Sequence, residues 1–330
     1  MRAPDFWRHG GALPALLSPL GWIYGAVTHA RLARSRPEAS PVPVLCVGNL
    51  VAGGAGKTPV ALDLGARLLG SGGDVHFLTR GYGGRSPGPL RVDPDRHDAR
   101  AVGDEALLLA GIAPTWVARD RAAGARAAAA QGAGLIVMDD GFQNPGISKD
   151  LSLLVVDGGY GFGNGQVMPA GPLREPVEAG LARADAVVLI GPDETGAGER
   201  IGAAPGRAIP VLGARLTPGP EARDIANKPV VAFAGIARPD KFFDTLRTLG
   251  CRIVGAHPFP DHYAYEPEDI ERLTREAEES DALAVTTAKD WVRLPAGTRH
   301  GVRVLTIAIE WEDEAGLDAI LSPILGRREP

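Results

Sequence analysis

Short apolar runs alternate with helical patterns along most of this chain. "PVLCVGNL", "DVHFLTR", "TWVARD", "GLIVMDD", "LSLLVVDG", "DAVVLIG" and "IPVLGARL" read as strands. Several are unbroken runs of Val, Ile and Leu, the pattern of parallel strands covered on both faces. Between them, "TPVALDLGARLLGSGG", "GDEALLLAGI", "RAAGARAAAAQG" and "PVEAGLARA" read as helices. The alternation predicts an α/β fold with a doubly wound, mostly parallel sheet. "TPGPEARDIANKP" reads as a linker. A second, shorter series follows: "VVAFAGI", "DKFFDTLRTLG", "RIVGAHPF", "PEDIERLTREAEES", "ALAVTTA", "VRVLTIAI" and a terminal helix through "AGLDAILSPIL". The expected organisation is an N-terminal segment over 1–37, a larger domain over 38–222 and a smaller α/β domain over 223–330.

The N-terminal segment breaks this rhythm. Gly10 to Ala30 contains no Lys, Arg, Asp or Glu, with Arg2 and Arg8 before it and Arg31, Arg34 and Arg36 after it. Arginines directly behind the apolar part argue against a cleaved signal. Gly, Ser, Thr, His and two prolines dilute the run below what a spanning helix needs. A helix from about Leu16 onward would align Leu16, Leu20, Ile23 and Val27, with Trp22 and Tyr24 at headgroup level and the arginines toward anionic lipid. The expectation is a helix lying in the membrane interface; a core-packing helix and a true span are the alternatives.

Composition narrows the classes. The 330 residues are 45% hydrophobic and 23% charged, enough for about two domains. A net charge of -5 supplies no overall basic field, and no nucleic-acid partner is expected. Cys46 and Cys251 stand far apart in apolar surroundings with no metal-ligand spacing, which suits buried residues in a reducing compartment.

Chemistry concentrates at strand ends. In "VGNLVAGGAGKTP" the phosphate-loop pattern G-x-x-x-x-G-K-[ST] is met except that Val51 replaces the first glycine. The N–H groups that cradle phosphate come mainly from later positions, here Gly53, Gly54, Ala55 and Gly56. Lys57 can reach the β and γ phosphates of a nucleotide, Thr58 can ligate Mg²⁺, and the helix starting there adds its positive end. "GLIVMDDGFQ" puts Asp139 and Asp140 at the carboxyl end of an apolar strand, where a Mg-nucleotide site needs acid. Ala52 lacks the basic residue of chromosome-partitioning ATPases, and neither "NKPV" nor "TAKD" meets the guanine-reading N-K-x-D. Transfer to a hydroxyl needs a base. Asp104 and Glu105 open a helix in "AVGDEALLL", and Asp261 and His262 sit in "PFPDHYAY"; a carboxylate–imidazole pair across a domain cleft would serve.

The ordered motifs "VGNLVAGGAGKTP", "LTRGYGG", "VGDEALLLA", "MDDGFQN", "MPAGPLREP", "FPDHY" and "TTAKD" resemble the tetraacyldisaccharide 4′-kinase family of lipid A biosynthesis. The likeness runs from the apolar N-terminus to about residue 290. It implies a P-loop kinase at the cytoplasmic face of the bacterial inner membrane, moving the ATP γ-phosphate to the 4′-hydroxyl of an acylated glucosamine disaccharide 1-phosphate. By the same resemblance Asp104 is the base and His262 its partner, Lys57 and Thr58 serve the phosphates and metal, and Asp139 and Asp140 form the metal motif. Arg80, Tyr82, Glu105, Gln143 and Arg174 would line the substrate cleft, and Glu175 would meet the nucleoside. Asn144 departs from the family, which usually has histidine there. Two other readings stand beside this one: a membrane-associated P-loop ATPase without a lipid acceptor, and a kinase for a soluble sugar or nucleoside.

Overall fold

The structure, a computed structural model, describes residues 4–325. Thirteen strands form among the described residues: β1 (Val44–Gly48), β2 (Val75–Thr79), β3 (Leu90–Arg91), β4 (Thr115–Val117), β5 (Leu135–Asp139), β6 (Leu151–Asp157), β7 (Ala186–Ile190), β8 (Val211–Pro218), β9 (Pro229–Ala234), β10 (Arg252–Pro258), β11 (Leu283–Thr287), β12 (Val302–Leu305) and β13 (Ile307–Trp311). Nine build one sheet in the order β13-β8-β7-β6-β1-β5-β2-β4-β3, parallel except for β3 and β13 at the edges. The central strands are buried along their length, which is why their sequences are continuous rather than alternating. Helix Lys57–Gly70 covers one face with Val60, Leu64 and Leu68; helix Arg121–Ala130 covers the other with Ala125 and Ala128.

The chain leaves β1 toward β2 and β4, returns to fill β5 beside β1, then crosses to β6 on the other side. In open α/β sheets ligands bind beyond the carboxyl ends of the strands where this direction reverses. The glycine loop after β1 and the aspartates after β5 therefore meet at one crevice.

Four parallel strands make a second sheet, β10-β9-β11-β12. Helix Pro239–Thr248 buries Phe242, Phe243 and Leu246 on one face; helix Pro267–Glu279 buries Ile270, Leu273 and Ala277 on the other. Here the structure amends the expected organisation. "VRVLTIAI" is two strands, divided at Thr306: β12 stays in the small sheet, and β13 pairs antiparallel with β8 of the large one. Helix Glu314–Leu325 follows, sinking Leu317, Leu321 and Ile324 into the large-sheet core, while Trp311 donates to Asp63 at 2.7 Å. Residues 307–325 thus belong with the large sheet, not with a unit running 223–330. The stretch read as a linker also holds a turn of helix, Ala222–Ile225, whose Ile225 is buried in the small unit's core.

The N-terminal helix starts at Ala12, earlier than the expected Leu16, and ends at Arg34. Pro14 is tolerated because first-turn N–H groups have no intrahelical partner anyway. Pro19 cannot donate to the Ala15 carbonyl, and the Ser18 hydroxyl does so instead at 3.0 Å. The buried side is small: Pro14, Gly21 and Gly25. A Cβ on Gly21 would stand 2.6 Å from the Val167 carbonyl oxygen, so only glycine permits this approach. The opposite side leaves Leu16 (75%), Trp22 (84%) and Ile23 (61%) exposed, with Leu20 and Val27 beside them. Among the described residues no helix is long and apolar enough to cross a membrane.

Candidate active site

The loop after β1 begins with a residue that cannot be glycine-like. Val51 is buried and bridges Leu173, and the Ala52 N–H donates to the Pro172 carbonyl at 2.8 Å. The departure from the motif is thus a tie to the "PLREP" segment. Gly53 and Gly56 take φ of 129° and 84°, conformations that side-chain-bearing residues resist. Space around the Gly53 and Gly54 Cα atoms is open. Gly56 turns the chain into helix Lys57–Gly70, whose N-terminus faces that space.

Lys57 lies over its own loop, donating to the Asn49 side-chain oxygen at 3.1 Å, with Asp140 at 3.8 Å. Burial lowers its pKa, opposed by the charges of Asp140 and Asp139. Thr58 donates to Asp139 Oδ2 at 3.2 Å, while Asp139 Oδ1 is buried with no hydrogen-bond partner among the described residues. Burial pushes the Asp139 carboxyl up to about 6 despite Lys57 nearby. A buried carboxylate oxygen left without a partner is costly, and a cation beside it removes the cost. The Thr58 hydroxyl and the Asp139 carboxylate therefore fit a hard divalent cation of the Mg²⁺ kind. Among the described residues no cluster of three or more His, Cys, Asp or Glu could hold a metal by itself. Mg²⁺ does not need one, since it keeps waters and phosphate oxygens as ligands.

Asp140 has a different place. Its backbone is left-handed (φ 52°), and its carboxylate takes two hydrogen bonds from Arg174, at 2.7 and 3.2 Å. Burial raises its pKa, but Lys57 and Arg174 outweigh that and hold it below the usual range. Arg174 also donates to Gln143 at 3.3 Å; Gln143 donates to the Asn49 carbonyl at 2.9 Å and to Glu175 at 3.0 Å. Glu175, expected at a nucleoside, is buried. Its second oxygen takes a 2.5 Å bond from Arg183, which stacks on Phe142. Glu175 and Gln143 thus brace Arg174 and the loop from beneath. Asn144 accepts from the Gly146 N–H at 2.9 Å, a turn contact.

Across the crevice, the aromatic cluster of Phe259, Tyr263 and Tyr265, with ring centroids 4.7 to 5.2 Å apart, folds the loop after β10. That loop projects His262, held at φ 58°, and its N–H donates to the Gly235 carbonyl at 3.0 Å. His262 Nδ1 and Asp104 Oδ2 are 2.8 Å apart, so the two units supply one half each of a pair. Burial raises the Asp104 pKa, but the bonds from His262 and Arg293 prevail and hold it low. With Asp104 ionised, Nδ1 must be the donor. That bond raises the His262 pKa against burial, helped by the charges of Asp104 and Asp261. Tyr82 is exposed with its ring 6.3 Å from that of His262, and Arg80 is exposed at the start of the same loop. Glu105 accepts from Lys289 at 2.8 Å and keeps a buried oxygen without a partner among the described residues. Glu105 lies near enough to Asp139 to raise the Asp139 pKa, and Lys289 near enough to Lys57 to lower the Lys57 pKa, which puts the pair beside the phosphate loop.

Three residues escaped sequence reasoning: Asn49, Lys289 and Arg293. All follow strand ends inside quoted motifs or just after them, but only the fold turns them to the crevice.

A sequence profile for tetraacyldisaccharide-1-P 4′-kinases matches residues 13–325. The chain belongs to the tetraacyldisaccharide 4′-kinase family. Its sequence is 57% identical over 335 residues to the tetraacyldisaccharide 4′-kinase of Rhodospirillum centenum, covering 100% of this chain and 98% of that one. It is 56% identical over 327 residues to the namesake enzyme of Paramagnetospirillum magneticum, covering 99% and 98%. The crystal structure of LpxK from Aquifex aeolicus in complex with ATP superposes with a TM-score of 0.76 at 26% identity, over 95% of this chain and 99% of that one. A tetraacyldisaccharide 4′-kinase is a phosphotransferase with an alcohol acceptor, and membership disfavours the acceptor-free ATPase.

Proposed function

We propose that the chain transfers the γ-phosphate of ATP to the 4′-hydroxyl of a tetraacyldisaccharide 1-phosphate, a step of lipid A biosynthesis, at the cytoplasmic face of the inner membrane. The observation that carries this reading is the Asp104–His262 pair, joined at 2.8 Å across two units beside a phosphate loop. A pure ATPase has no need of a base supplied jointly by the far side of its crevice.

Lys57, the loop N–H groups and the helix N-terminus hold the phosphates and offset charge on the transferring group. Thr58 and Asp139 would hold Mg²⁺, which when bound polarises the phosphoryl oxygens. Asp140 fixes Arg174, leaving the arginine aligned toward the same space. Asp104 takes the hydroxyl proton through Oδ1, because both hydrogen-bond donors occupy Oδ2. His262 keeps the carboxylate oriented, and Tyr82 supplies an exposed ring on which a sugar face can rest. The exposed apolar side of the N-terminal helix, flanked by arginines, would lie in the membrane interface and bring the crevice to an acylated substrate.

The test is transfer of ³²P from γ-labelled ATP to tetraacyldisaccharide 1-phosphate in detergent micelles. Label in the lipid, lost with Lys57→Ala and Asp104→Ala, supports the reading. Hydrolysis of ATP with unlabelled lipid overturns it.

A further inference from the structure

The small unit contributes a second group to the base besides His262. After β11, Thr287 caps a one-turn helix, Ala288–Trp291: its hydroxyl accepts from the Asp290 N–H at 3.1 Å and donates to the Asp290 carboxylate at 2.6 Å. This reciprocal cap fixes Asp290, which is fully buried and also accepts from the Gly235 N–H at 2.8 Å and Tyr265 at 2.9 Å. Arg293, three residues on, is therefore gripped along its length. Its Nη1 donates to Asp290 at 3.1 Å and to the Gly235 carbonyl at 2.7 Å. Its Nε and Nη2 reach into the other unit and donate to Asp104 Oδ2 at 2.9 and 2.6 Å.

We infer that Arg293 is a positioning residue for phosphoryl transfer: it fixes the Asp104 carboxylate and directs its free oxygen at the acceptor hydroxyl. A buried arginine needs one carboxylate to offset its charge, and Asp290 already does this. The second contact, across the cleft, is in excess of what burial of Arg293 requires. It also settles which oxygen works. His262 and Arg293 both engage Oδ2, and among the described residues Oδ1 has no hydrogen-bond partner. A carboxylate able to rotate would present either oxygen; one fixed by a planar fork presents one. The other groups facing the pair are Glu105 on the Asp104 helix, Tyr82 on the loop after β2, Asp261 beside His262, and Lys289 and Asp290 on the Arg293 segment. Arg293 is the cation nearest both members, with Nη2 at 3.5 Å from His262 Nδ1.

This inference rests on the phosphotransfer reading above, and its test separates the two. Arg293→Gln and Arg293→Lys are compared with the unsubstituted enzyme in three measurements: lipid phosphorylation against pH, ATP affinity, and titration of the His262 imidazole by NMR without substrate. With Arg293→Gln, kcat should fall at least about tenfold with ATP affinity unchanged within about twofold. The His262 midpoint and the acid limb of kcat should both rise by about one pH unit, since a cation that disfavours the imidazolium and favours the carboxylate has gone. Arg293→Lys should restore the midpoint, and part of kcat, because it keeps the charge and loses the fork. In an Asp104→Asn background, Arg293→Lys should cost nothing further in kcat. A drop in melting temperature with unchanged midpoint and acid limb would overturn the inference, leaving Arg293 as mere mortar between the units. If the unsubstituted enzyme phosphorylates no lipid, the functional reading fails, while the His262 titration still reports whether Arg293 governs the pair.

Discussion

Replacing Leu16 and Ile23 together by serine tests whether the N-terminal helix lies on a membrane. Both project from the side opposite Gly21 and Gly25, with 75% and 61% of their surface exposed. Fully burying a leucine or isoleucine side chain is worth about 1.5–3 kcal/mol. Scaled by those exposed fractions, insertion of the two into an apolar layer contributes about 2–4 kcal/mol. At about 1.4 kcal/mol per factor of ten, the double variant should bind vesicles roughly 30- to 1,000-fold more weakly. The assay is co-sedimentation with sucrose-loaded vesicles of phosphatidylethanolamine and phosphatidylglycerol. Neither side chain packs in the core, so melting temperature and ATP affinity should stay put. Vesicle binding equal to that of the unsubstituted protein would refute the interfacial placement and leave the exposed stripe to another partner. Adding anionic lipid should strengthen binding through Arg31, Arg34 and Arg36, by about 1 kcal/mol for each arginine near the surface.

Gly21→Leu should lever the same helix off the body, because a Cβ there meets the Val167 carbonyl oxygen; faster proteolysis ahead of residue 40 would register it, and an unchanged rate would not fit. Asp104→Asn should lower kcat by about 10²- to 10⁴-fold with ATP affinity nearly unchanged, read by labelled-phosphate transfer. Asp139→Ala should abolish the Mg²⁺ dependence of nucleotide binding in calorimetry, since the buried unpartnered oxygen is the one proposed for the cation. The Asp104–His262 pair also sets a pH window for stability. His262 is held above its usual value, chiefly by the hydrogen bond to Asp104, so its contribution is complete below about pH 6.5 and fades as pH rises through the folded pKa. Asp104 is held below its usual value, by His262 and Arg293 against burial, so its contribution is present above about pH 3.9 and is lost as pH falls through the folded pKa. The melting-temperature deficit of His262→Asn should therefore be largest near about pH 5–6 and shrink toward about pH 9, where only the neutral imidazole's hydrogen bond to Asp104 remains.

Hydrophobic pattern alone determined most of the framework. Strands buried on both faces, such as β1, β5 and β6, must be continuous in Val, Ile and Leu, so their sequences announce them. The phosphate loop was equally legible despite Val51, because a turn from buried strand to helix requires glycines where φ is positive and places Lys57 and Thr58 directly after. What stayed hidden depended on partners distant in the chain. "VRVLTIAI" carries one apolar pattern whether or not it changes sheets at Thr306; only pairing with β8 decides that β13 leaves the small unit. Glu175 looks like any acid at a loop, and its burial under Gln143 and Arg183 follows from packing. Asp139 and Asp140 are neighbours in sequence, yet the left-handed backbone at Asp140 sends one carboxylate to Arg174 while the other remains beside Thr58. Asp104 and His262 were legible as a candidate pair from their motifs, but Arg293, 189 positions from Asp104, carried no signal of its own. Local sequence specifies strands, helices and turns because their hydrogen bonds and periodicities are local. The base of this crevice is assembled by the docking of two units, and no local pattern encodes that.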